Sequence, residues 1–248
     1  MNRFIPYNIT LQLLQKIREE ALPATYEYDK HRLLLQDAQG NDLVHLRLPL
    51  TLPPVPALAA PVVPPVHYVI LLIQAGNCAL GYFENGINLD HKVYRSYMVR
   101  KKQGKSQVKY LKTKGKSRAG SRVRLGETAE FFENINGRLQ DYFLEHEVHR
   151  IALSCSKTLL PFLYDSKVPT PFDKRDPRLY KIPKHVHTPI YEVLMDVNRF
   201  LQRGELIYEP QHHSLVETLV PPHAPLEDLS EAFSEDEEET EDFYPGEW

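Results

Sequence analysis

The fold is decided by Tyr68-Val69-Ile70-Leu71-Leu72-Ile73-Gln74, which contains the longest uninterrupted apolar run of the sequence. Two further strand-like segments follow it, Cys78–Glu84 and Lys92–Val99. The connectors between the three segments, Ala75-Gly76-Asn77 and Asn85-Gly86-Ile87-Asn88, are short and rich in turn-forming residues. Connectors of this kind favour antiparallel pairing of neighbouring strands. The sequence therefore predicts three consecutive antiparallel strands.

Helices and strands alternate after this sheet. Phe131, Ile135, Leu139 and Phe143 recur every four residues, which indicates a helix over Glu127–His146. The remaining predicted elements are strand His149–Ser154, short helix Lys157–Tyr164, strand Leu179–Ile182, helix Pro189–Gln202 and strand Leu206–Glu209. Three antiparallel strands followed by helix–strand alternation predict an α/β fold bordering on α+β, with a ribonuclease H-like mixed sheet flanked by helices.

The sequence divides into four predicted parts. Residues 1–52 contain a helical pattern over 7–20 and two strand-like runs, His31–Gln36 and Leu43–Leu48, and form a small α+β element. Residues 53–65 form a proline-rich linker, more typical of a stiff spacer than of a proline-motif ligand. Residues 66–210 form the main domain, and residues 211–248 are expected to be a disordered acidic tail.

Composition excludes several classes of protein. The chain has 248 residues, of which 42% are hydrophobic, and no apolar run approaches the roughly 18 residues of a membrane span. Its N-terminus lacks the apolar core of a secretory signal. Two cysteines, Cys78 and Cys155, exclude a disulfide scaffold and a cysteine-built zinc site. We therefore expect a cytoplasmic protein.

The net charge of −3 conceals a strong asymmetry. Residues 91–126 contain thirteen Lys or Arg and no Asp or Glu, whereas residues 227–247 contain eleven acids and no Lys or Arg. Without the acidic segment, the chain has 30 basic against 22 acidic residues. A basic body of this kind indicates a polyanionic partner.

The basic stretch contains the most informative motif, Arg100-Lys101-Lys102-Gln103-Gly104-Lys105-Ser106-Gln107, followed by Lys116-Ser117-Arg118-Ala119-Gly120-Ser121. It joins a strand to a helix over about 25 residues, and connections beyond roughly 12–15 residues are often functional. A solvated lysine-rich loop is one interpretation. Nucleic-acid binding is the other, because the loop carries no compensating acid.

These motifs resemble the glutamine loop of Vms-like release-factor domains, the family of the ankyrin-repeat and zinc-finger peptidyl-tRNA hydrolases and their bacterial relatives. The likeness covers about residues 66–205, from Gly76-Asn77-Cys78-Ala79 through Asp176-Pro177-Arg178 and Ile182-Pro183 to Thr188-Pro189-Ile190-Tyr191-Glu192-Val193. It implies the fold of the catalytic middle domain of eukaryotic and archaeal class-I release factors. It also implies release of nascent chains from peptidyl-tRNA on stalled large ribosomal subunits, by a stand-alone bacterial member.

The resemblance implies a catalytic set, Gln107, Ser106, Gly104 and Arg100. The implied chemistry is cleavage of the tRNA 3′ acceptor end or hydrolysis of the peptidyl ester, which makes the protein a peptidyl-tRNA hydrolase or an acceptor-end endonuclease. In both reactions a glutamine positions a group through its amide atoms, since an amide is neither a useful acid nor a useful base. The predicted RNA-binding residues are Lys101, Lys102, Lys105, Lys109, Lys112, Lys114, Lys116, Arg118, Arg122 and Arg124.

The sequence departs from the family at one position, because Lys105 stands where the family has its second glycine. Ankyrin repeats, a zinc finger, a segregase-binding helix and a codon-reading domain are not recognised. The expected partners are the large ribosomal subunit and peptidyl-tRNA, with no membrane and no cofactor, and the protein is expected to be a monomer. Non-catalytic ribosome or structured-RNA binding is the alternative function, and general RNA binding is a third.

Other motifs favour structural interpretations. His146-Glu147-Val148-His149 is one residue short of the HExxH zinc motif, and His185, His187, His212 and His213 lack cysteine or aspartate partners, so we predict no metal site. A two-metal nuclease needs acids that the strand Tyr68–Gln74 lacks. Tyr82, Phe83, Tyr94 and Tyr97 fit a core better than a base-stacking surface. The acidic tail either solubilises the chain or competes with RNA for the basic loop.

Overall fold

Two five-stranded sheets form the framework of the protein. The computed structural model describes residues 1–54, 64–96 and 117–220, and gives residues 117–125 as backbone only. The strands are β1 (Asn2–Ile5), β2 (Ala24–Glu27), β3 (Arg32–Gln36), β4 (Asp42–Arg47), β5 (His67–Gln74), β6 (Asn77–Glu84), β7 (Ile87–Arg95), β8 (Arg150–Cys155), β9 (Leu179–Lys181) and β10 (Gly204–Tyr208). The first sheet has the order β1-β10-β4-β3-β2 and the second the order β7-β6-β5-β8-β9.

The helices of the described residues are α1 (Tyr7–Glu19), α2 (Ser117–Glu145), α3 (Leu160–Tyr164), α4 (Tyr191–Leu201) and α5 (His213–Leu219), with a 3₁₀ turn at Pro210–His212. Helices and strands together confirm the predicted α/β class. None of these helices is long and apolar enough to cross a bilayer.

The predicted meander is confirmed, since β7, β6 and β5 pair antiparallel through two-residue turns. The second turn has positive φ at both Asn85 (47°) and Gly86 (92°), the geometry of a type I′ hairpin. Because the turn has only two residues, the residues that follow it pair with β6 at once. β7 therefore begins at Ile87 rather than at the predicted Lys92. The predicted end at Val99 lies outside the described residues.

Helices cover both faces of the second sheet because its central strands are apolar on both faces. Val69, Leu71 and Ile73 pack with one cluster that includes Phe132 and Ile135 of α2. Tyr68, Ile70 and Leu72 pack with the opposite cluster, which includes Leu194, Val197 and Leu201 of α4. Side chains alternate between faces along a strand, so β5 is buried from both sides.

Helix α2 is longer than predicted. It begins at Ser117, ten residues before the expected Glu127, and its early turns include part of the basic stretch. Apolar residues at helical spacing are absent from 117–126, but Arg, Ala and Leu are good helix formers. The high helix propensity of these residues therefore extends the helix toward its N-terminus, beyond the apolar spacing that begins at Phe131.

The first sheet corrects two predictions about the C-terminal part of the main domain. β10, expected beside the other main-domain strands, pairs instead with β1 and β4. Residues 211–220, expected to begin the tail, include α5, whose Val216 and Leu219 are buried with Leu13 of α1. This helix is short, and polar residues separate its few apolar ones, so the sequence pattern does not indicate a helix there. The division into four parts otherwise stays a prediction, and residues 55–63 and 221–248 lie outside the described residues.

A buried polar junction joins the two sheets. Arg150 at the start of β8 contacts His31 Nδ1 at 3.3 Å and lies over the Tyr28 ring at 4.4 Å. His31 is fully buried and bonds the Pro49 carbonyl through Nε2 at 3.0 Å. Burial, reinforced by the Arg150 charge, lowers the pKa of His31 to about 3. His31 is therefore neutral in the folded protein at neutral pH.

A second set of contacts ties α4 to the first sheet. Arg47 Nε donates to Glu205 Oε2 at 2.9 Å in a buried ion pair. The Arg47 guanidinium also lies 4.4 Å from the centre of the Phe200 ring. Leu50 N donates to the carbonyl of Leu201, the last residue of α4, at 2.7 Å. Arg47 and Leu50 thus join α4 to the first sheet and to the chain that follows β4.

Glycine-to-alanine substitutions at Gly204 and Gly137 should change stability in opposite directions. A Cβ on Gly204 would lie 2.4 Å from Thr10 Oγ1 and 2.9 Å from Ile5 Cγ1, whereas one on Gly137 meets nothing within 4 Å. We expect Gly204→Ala to cost about 1–3 kcal/mol through overpacking. Gly137→Ala should stabilise α2 by up to about 1 kcal/mol. Urea unfolding measures both, and a neutral Gly204→Ala would contradict the packing described between β10 and α1.

His31 should make the protein sensitive to acid. Its folded pKa is depressed, so the unfolded chain binds the proton first, and stability present above about pH 6.5 is lost as pH falls toward the folded pKa. Between pH 6 and pH 4 the wild type should lose up to about 1.4 kcal/mol per pH unit more than His31→Asn. Urea titrations at several pH values compare the two slopes. Equal slopes would show that His31 does not titrate as buried.

Candidate nucleic-acid interface

One edge of the second sheet collects the chain ends that surround the basic stretch. β8 and β9 run parallel to β5, so the carboxyl ends of these three strands lie together. β7 ends at the same edge, because Arg95 pairs with Asn77, which pairs with Gln74. We call this the loop edge, since residues 97–116 leave the sheet here and return through α2.

Most of the predicted site residues belong to that connection. Residues 97–116, with Arg100, Gly104, Ser106, Gln107 and the predicted lysines, lie outside the described residues. Arg118, Arg122 and Arg124 fall within the first turns of α2. The structure therefore locates the two ends of the basic stretch but brings together none of the predicted catalytic side chains.

The first end of the connection is held by Ser96. Its N–H donates to the Gly76 carbonyl at 2.8 Å, and its Oγ donates to the Glu127 carbonyl of α2 at 3.3 Å. An open pocket of about 330 Å³ lies between these segments, lined by Tyr94, Arg95, Ser96, Glu127, Glu130, Phe131 and Asn134. Its two carboxylates, Glu127 and Glu130, make this pocket a poor site for a phosphate group.

An ion pair fixes α2 against β7. The Arg138 guanidinium bonds the Asp90 carboxylate, and it lies 4.9 Å from the centre of the Tyr142 ring. Partial burial raises the pKa of the Asp90 carboxyl, but the interactions of the carboxylate with Tyr142 and with Arg138 together outweigh burial and hold the pKa below its usual value. The strand before the connection and the helix after it are thus joined independently of the connection.

Conventional nucleophile and metal chemistry has little support among the described residues. Cys155 ends β8 at the loop edge, but burial raises the pKa of its thiol to about 12, so it carries no thiolate at neutral pH. His146 stacks on Tyr82 with ring centres 4.1 Å apart, and His149 pairs with Glu147 at 3.2 Å. No cluster of three or more metal-ligand side chains occurs in residues 1–54, 64–96 and 126–220.

The aromatic residues of the strands are mainly structural. Tyr82 and Phe83 are fully buried, which confirms the core interpretation for both. Tyr94 is partly buried against the cluster beneath α2, while Tyr97 lies outside the described residues. Base stacking by Tyr82 and Phe83 is thereby excluded in this fold.

The motif Asp176-Pro177-Arg178 also has a structural role. Arg178 bonds both carboxylate oxygens of Asp176, at 3.0 and 2.7 Å, and donates to the Val148 carbonyl at 3.3 Å. The bond from Arg178 lowers the pKa of the Asp176 carboxyl. These contacts fix the start of β9 beside β8, at the edge of the sheet away from the basic stretch.

Sequence analysis did not connect a group of exposed basic side chains near the ends of β8 and β9. Lys157 follows β8, Lys181 ends β9, and Lys184, His185 and His187 follow β9. The parallel register of the two strands places Leu153 opposite Lys181. The opposite edge of the sheet carries Glu84, Glu145 and Glu147, together with Arg150 at the start of β8.

Comparison with known proteins gives the class of the protein, a Vms-like release-factor domain, in which the basic stretch joins the three-stranded meander to the crossover helix. The chain belongs to the family described as Bacteroidetes VLRF1 release factor, whose sequence profile matches residues 68–209. This result confirms the resemblance drawn from the sequence motifs.

Two individual proteins are similar to the chain. The tRNA endonuclease ANKZF1 of mouse (Mus musculus) is 26% identical over 182 residues, which cover 67% of this chain and 24% of the mouse protein. The chain thus spans about a quarter of that relative's length. The solved structure of the Vms1 mitochondrial localization core has a TM-score of 0.39 and 13% identity, covering 83% of this chain and 84% of that one.

Removing the Asp90 charge should weaken the junction of β7 and α2 at neutral pH only. The lowered pKa means that the carboxylate stabilises the fold above its unfolded pKa of about 3.9, and that this stability is lost as pH falls through the folded pKa. Because the pair is partly exposed, Asp90→Asn should cost only about 0.2–1 kcal/mol at pH 7. Urea unfolding should show a smaller difference at pH 3. Asp29→Asn, which removes a carboxylate without an ion pair in the described residues, is the control.

Proposed function

We propose that the protein releases nascent chains from peptidyl-tRNA on stalled large ribosomal subunits. The observation that carries this proposal is the match of residues 68–209 to a release-factor family. The charge of residues 91–126, which contain thirteen basic residues and no acid, supports it. A nucleic-acid partner would neutralise this stretch and gain affinity from counterion release. A cytoplasmic location accords with such a substrate.

The fold of the catalytic unit is inferred to be ribonuclease H-like. Strands β5 to β7 form an antiparallel meander, and β8 and β9 extend the sheet in parallel with β5. We assign catalysis to residues 66–210 of the predicted division, with β10 contributed to the neighbouring sheet. The described strand β7 and helix α2 flank residues 97–116, which carry the proposed catalytic residues.

Gln107 is assigned the central catalytic role. Its amide would orient a reactant through one donor and one acceptor, supported by Gly104 and Ser106 in the same loop. In ester hydrolysis the reactant is a water that attacks the peptidyl carbonyl, breaking its bond to the tRNA 3′ oxygen, which takes up a proton. In strand cleavage it is a ribose 2′-hydroxyl that attacks the adjacent phosphorus and forms a 2′,3′-cyclic phosphate. The bond from that phosphorus to the 5′ oxygen of the next nucleotide breaks, the 5′ oxygen takes up the proton, and the peptide leaves on the CCA fragment. The mouse relative is named as a tRNA endonuclease, which supports the second route.

The surrounding charges would stabilise the transition state and hold the tRNA. Arg100, Lys101 and Lys102 would balance charge developing on the oxyanion or phosphate. Arg122 and Arg124, near the start of α2, would contact the acceptor-stem backbone. No acid or histidine occurs between residues 92 and 126, so positioning and electrostatics are the available sources of catalysis.

A non-catalytic RNA-binding module is the second candidate function. Lys105 favours it, because the position holds glycine in the family and a lysine is strained wherever a backbone needs positive φ. Binding alone would not require Gln107. Turnover therefore separates the two functions.

Gln107→Ala should abolish release without weakening binding. The substrate is a purified large subunit carrying labelled peptidyl-tRNA, and we expect a fall of at least about 100-fold in the release rate, the scale of losing one positioned catalytic group. Affinity for the subunit should stay unchanged, because the glutamine carries no charge. Sequencing the tRNA 3′ end distinguishes the reactions: loss of CCA indicates strand cleavage, and intact CCA indicates ester hydrolysis.

The matched control is Gln103→Ala, a second glutamine four residues away in the same loop. Equal loss of release in both variants would contradict a specific role for Gln107. Tight subunit binding by the wild type without any release would instead establish the binding module. In that case Lys105→Gly tests whether the departure from the family is what silences the site.

A further inference from the structure

The junction between the two sheets holds a buried positive charge without a negative partner. Arg150, at the start of β8, is 2% exposed, and it forms no ion pair within the described part of the chain. Arg47, Arg138 and Arg178, which are also buried or half-buried, each bind a carboxylate. Moving a guanidinium out of water is costly unless charge and hydrogen bonds compensate it. The compensation available to Arg150 therefore decides what the junction can bind.

The hydrogen bonds of Arg150 are few and long. Its Nη2 donates to the Tyr26 hydroxyl at 3.4 Å and lies 3.3 Å from His31 Nδ1, and both of these acceptors are uncharged. Its Nη1 is buried and has no hydrogen-bond partner among the described residues. The Tyr28 ring covers the guanidinium, whose central carbon lies 4.4 Å from the ring centre. Because a guanidinium carries five N–H donors, two long bonds leave part of this capacity unused.

The buried charges of the described residues do not balance. Among those residues, the buried side chains with a formal charge are Arg47, Arg150 and Glu205, and Glu205 is bound to Arg47. Tyr26 would be a counter-ion only as a phenolate, but burial raises the pKa of its hydroxyl despite the Arg150 charge. Burial, reinforced by the Arg150 charge, keeps the His31 imidazole neutral, with a pKa of about 3. Two buried positive charges are therefore set against one buried negative charge.

We infer that this junction binds a small inorganic anion, of the size of a chloride ion, at Nη1 of Arg150. An anion supplies both the charge and the hydrogen-bond acceptor that the guanidinium lacks, in a charge-assisted bond. A water molecule would satisfy the N–H group but would leave the charge uncompensated. The inference concerns the contact between the sheets and does not depend on the proposed function.

The groups around Arg150 favour a halide over a larger oxyanion. The Tyr26 ring meets the His31 ring edge to face at 6.0 Å between centres, and meets the Tyr28 ring in the same way at 6.4 Å. Aromatic edges carry partial positive charge and are therefore compatible with an anion. The four oxygens of a phosphate would need more donors than Nη1 offers, and an unpaired oxygen is costly in a buried site. A monatomic anion needs fewer donors.

Chloride titrations of unfolding test the inference. Sodium chloride replaces sodium gluconate at constant ionic strength, because gluconate is too large for a buried site and the screening of other charges then stays the same. Above the dissociation constant, each tenfold rise in chloride should lower the unfolding equilibrium constant of the full chain about tenfold. Urea unfolding gives that constant at each chloride concentration.

The test variant is Arg150→Met, which removes the charge and the donors but keeps an unbranched side chain. Its unfolding constant should not respond to chloride. The control is Arg138→Met, because Arg138 also lies over an aromatic ring but is paired with Asp90. The control should retain the wild-type response to chloride, whatever its own stability.

Diffraction locates the ion in the unaltered chain, so this measurement remains valid when Arg150→Met does not fold. Crystals grown in sodium bromide should give an anomalous peak beside Nη1 of Arg150. A water without anomalous signal at that position, or no density there, would overturn the inference. A response to chloride that persists in Arg150→Met would do the same, because it would place the ion elsewhere. An unfolding constant that is unaffected by chloride in the wild type would also contradict the site.

Discussion

The burial of β5 on both faces is the constraint on which the rest of the architecture depends. Its apolar side chains alternate between the clusters beneath α2 and α4, so helices must cover both sides of the sheet. β8 pairs parallel with β5, and a parallel neighbour requires a crossover rather than a hairpin. Helix α2 provides that crossover. The connection into α2 must therefore start where β7 ends, at the edge where β5, β8 and β9 also end.

The second sheet is not independent of the rest of the chain. Strands of the first sheet come from both sides of it in sequence, since β1 to β4 precede it and β10 follows it. Arg150 at the start of β8 reaches into the first sheet, where His31 and Tyr28 receive it. A buried guanidinium is costly without polar partners, so this contact favours one relative placement of the sheets. The first sheet thereby supports the edge of the second that lies opposite the loop edge.

Local sequence features made part of the fold predictable. The meander and most helices were found because short turns, helical spacing and strand length are local properties. β1 and β2 were missed, since four residues each give too short a pattern. The place of β10 could not be found locally: Leu206 pairs with Arg3 and Leu46, residues far away in the chain. Tertiary pairing alone decided that strand's sheet.

The candidate site shows the same limit in a different form. Basic residues in one stretch are recognisable from the sequence, but Leu153 and Lys181 become neighbours only through strand register. Likewise, Cys155 and His149 gave no indication in the sequence of their burial or their partners. Functional residues that lie in one continuous segment can therefore be recognised from the sequence. Residues that come together from the ends of several strands can be recognised only when the order and direction of the strands are known.

The proposed glutamine-dependent site contains no acid–base pair. The described part of the loop edge has a protonated thiol at Cys155 and a pocket whose carboxylates lie at the base of the connection. Neither suits attack on a phosphate or an ester. A neutral amide orients a reactant through hydrogen bonds but does not transfer a proton. Its effect on the rate therefore depends on how precisely the substrate is bound. In the proposed reaction, positive charge beside the reacting group would meet that need, because it binds the RNA backbone and stabilises the charge that develops. The thirteen basic residues of 91–126 are the proposed source of that charge.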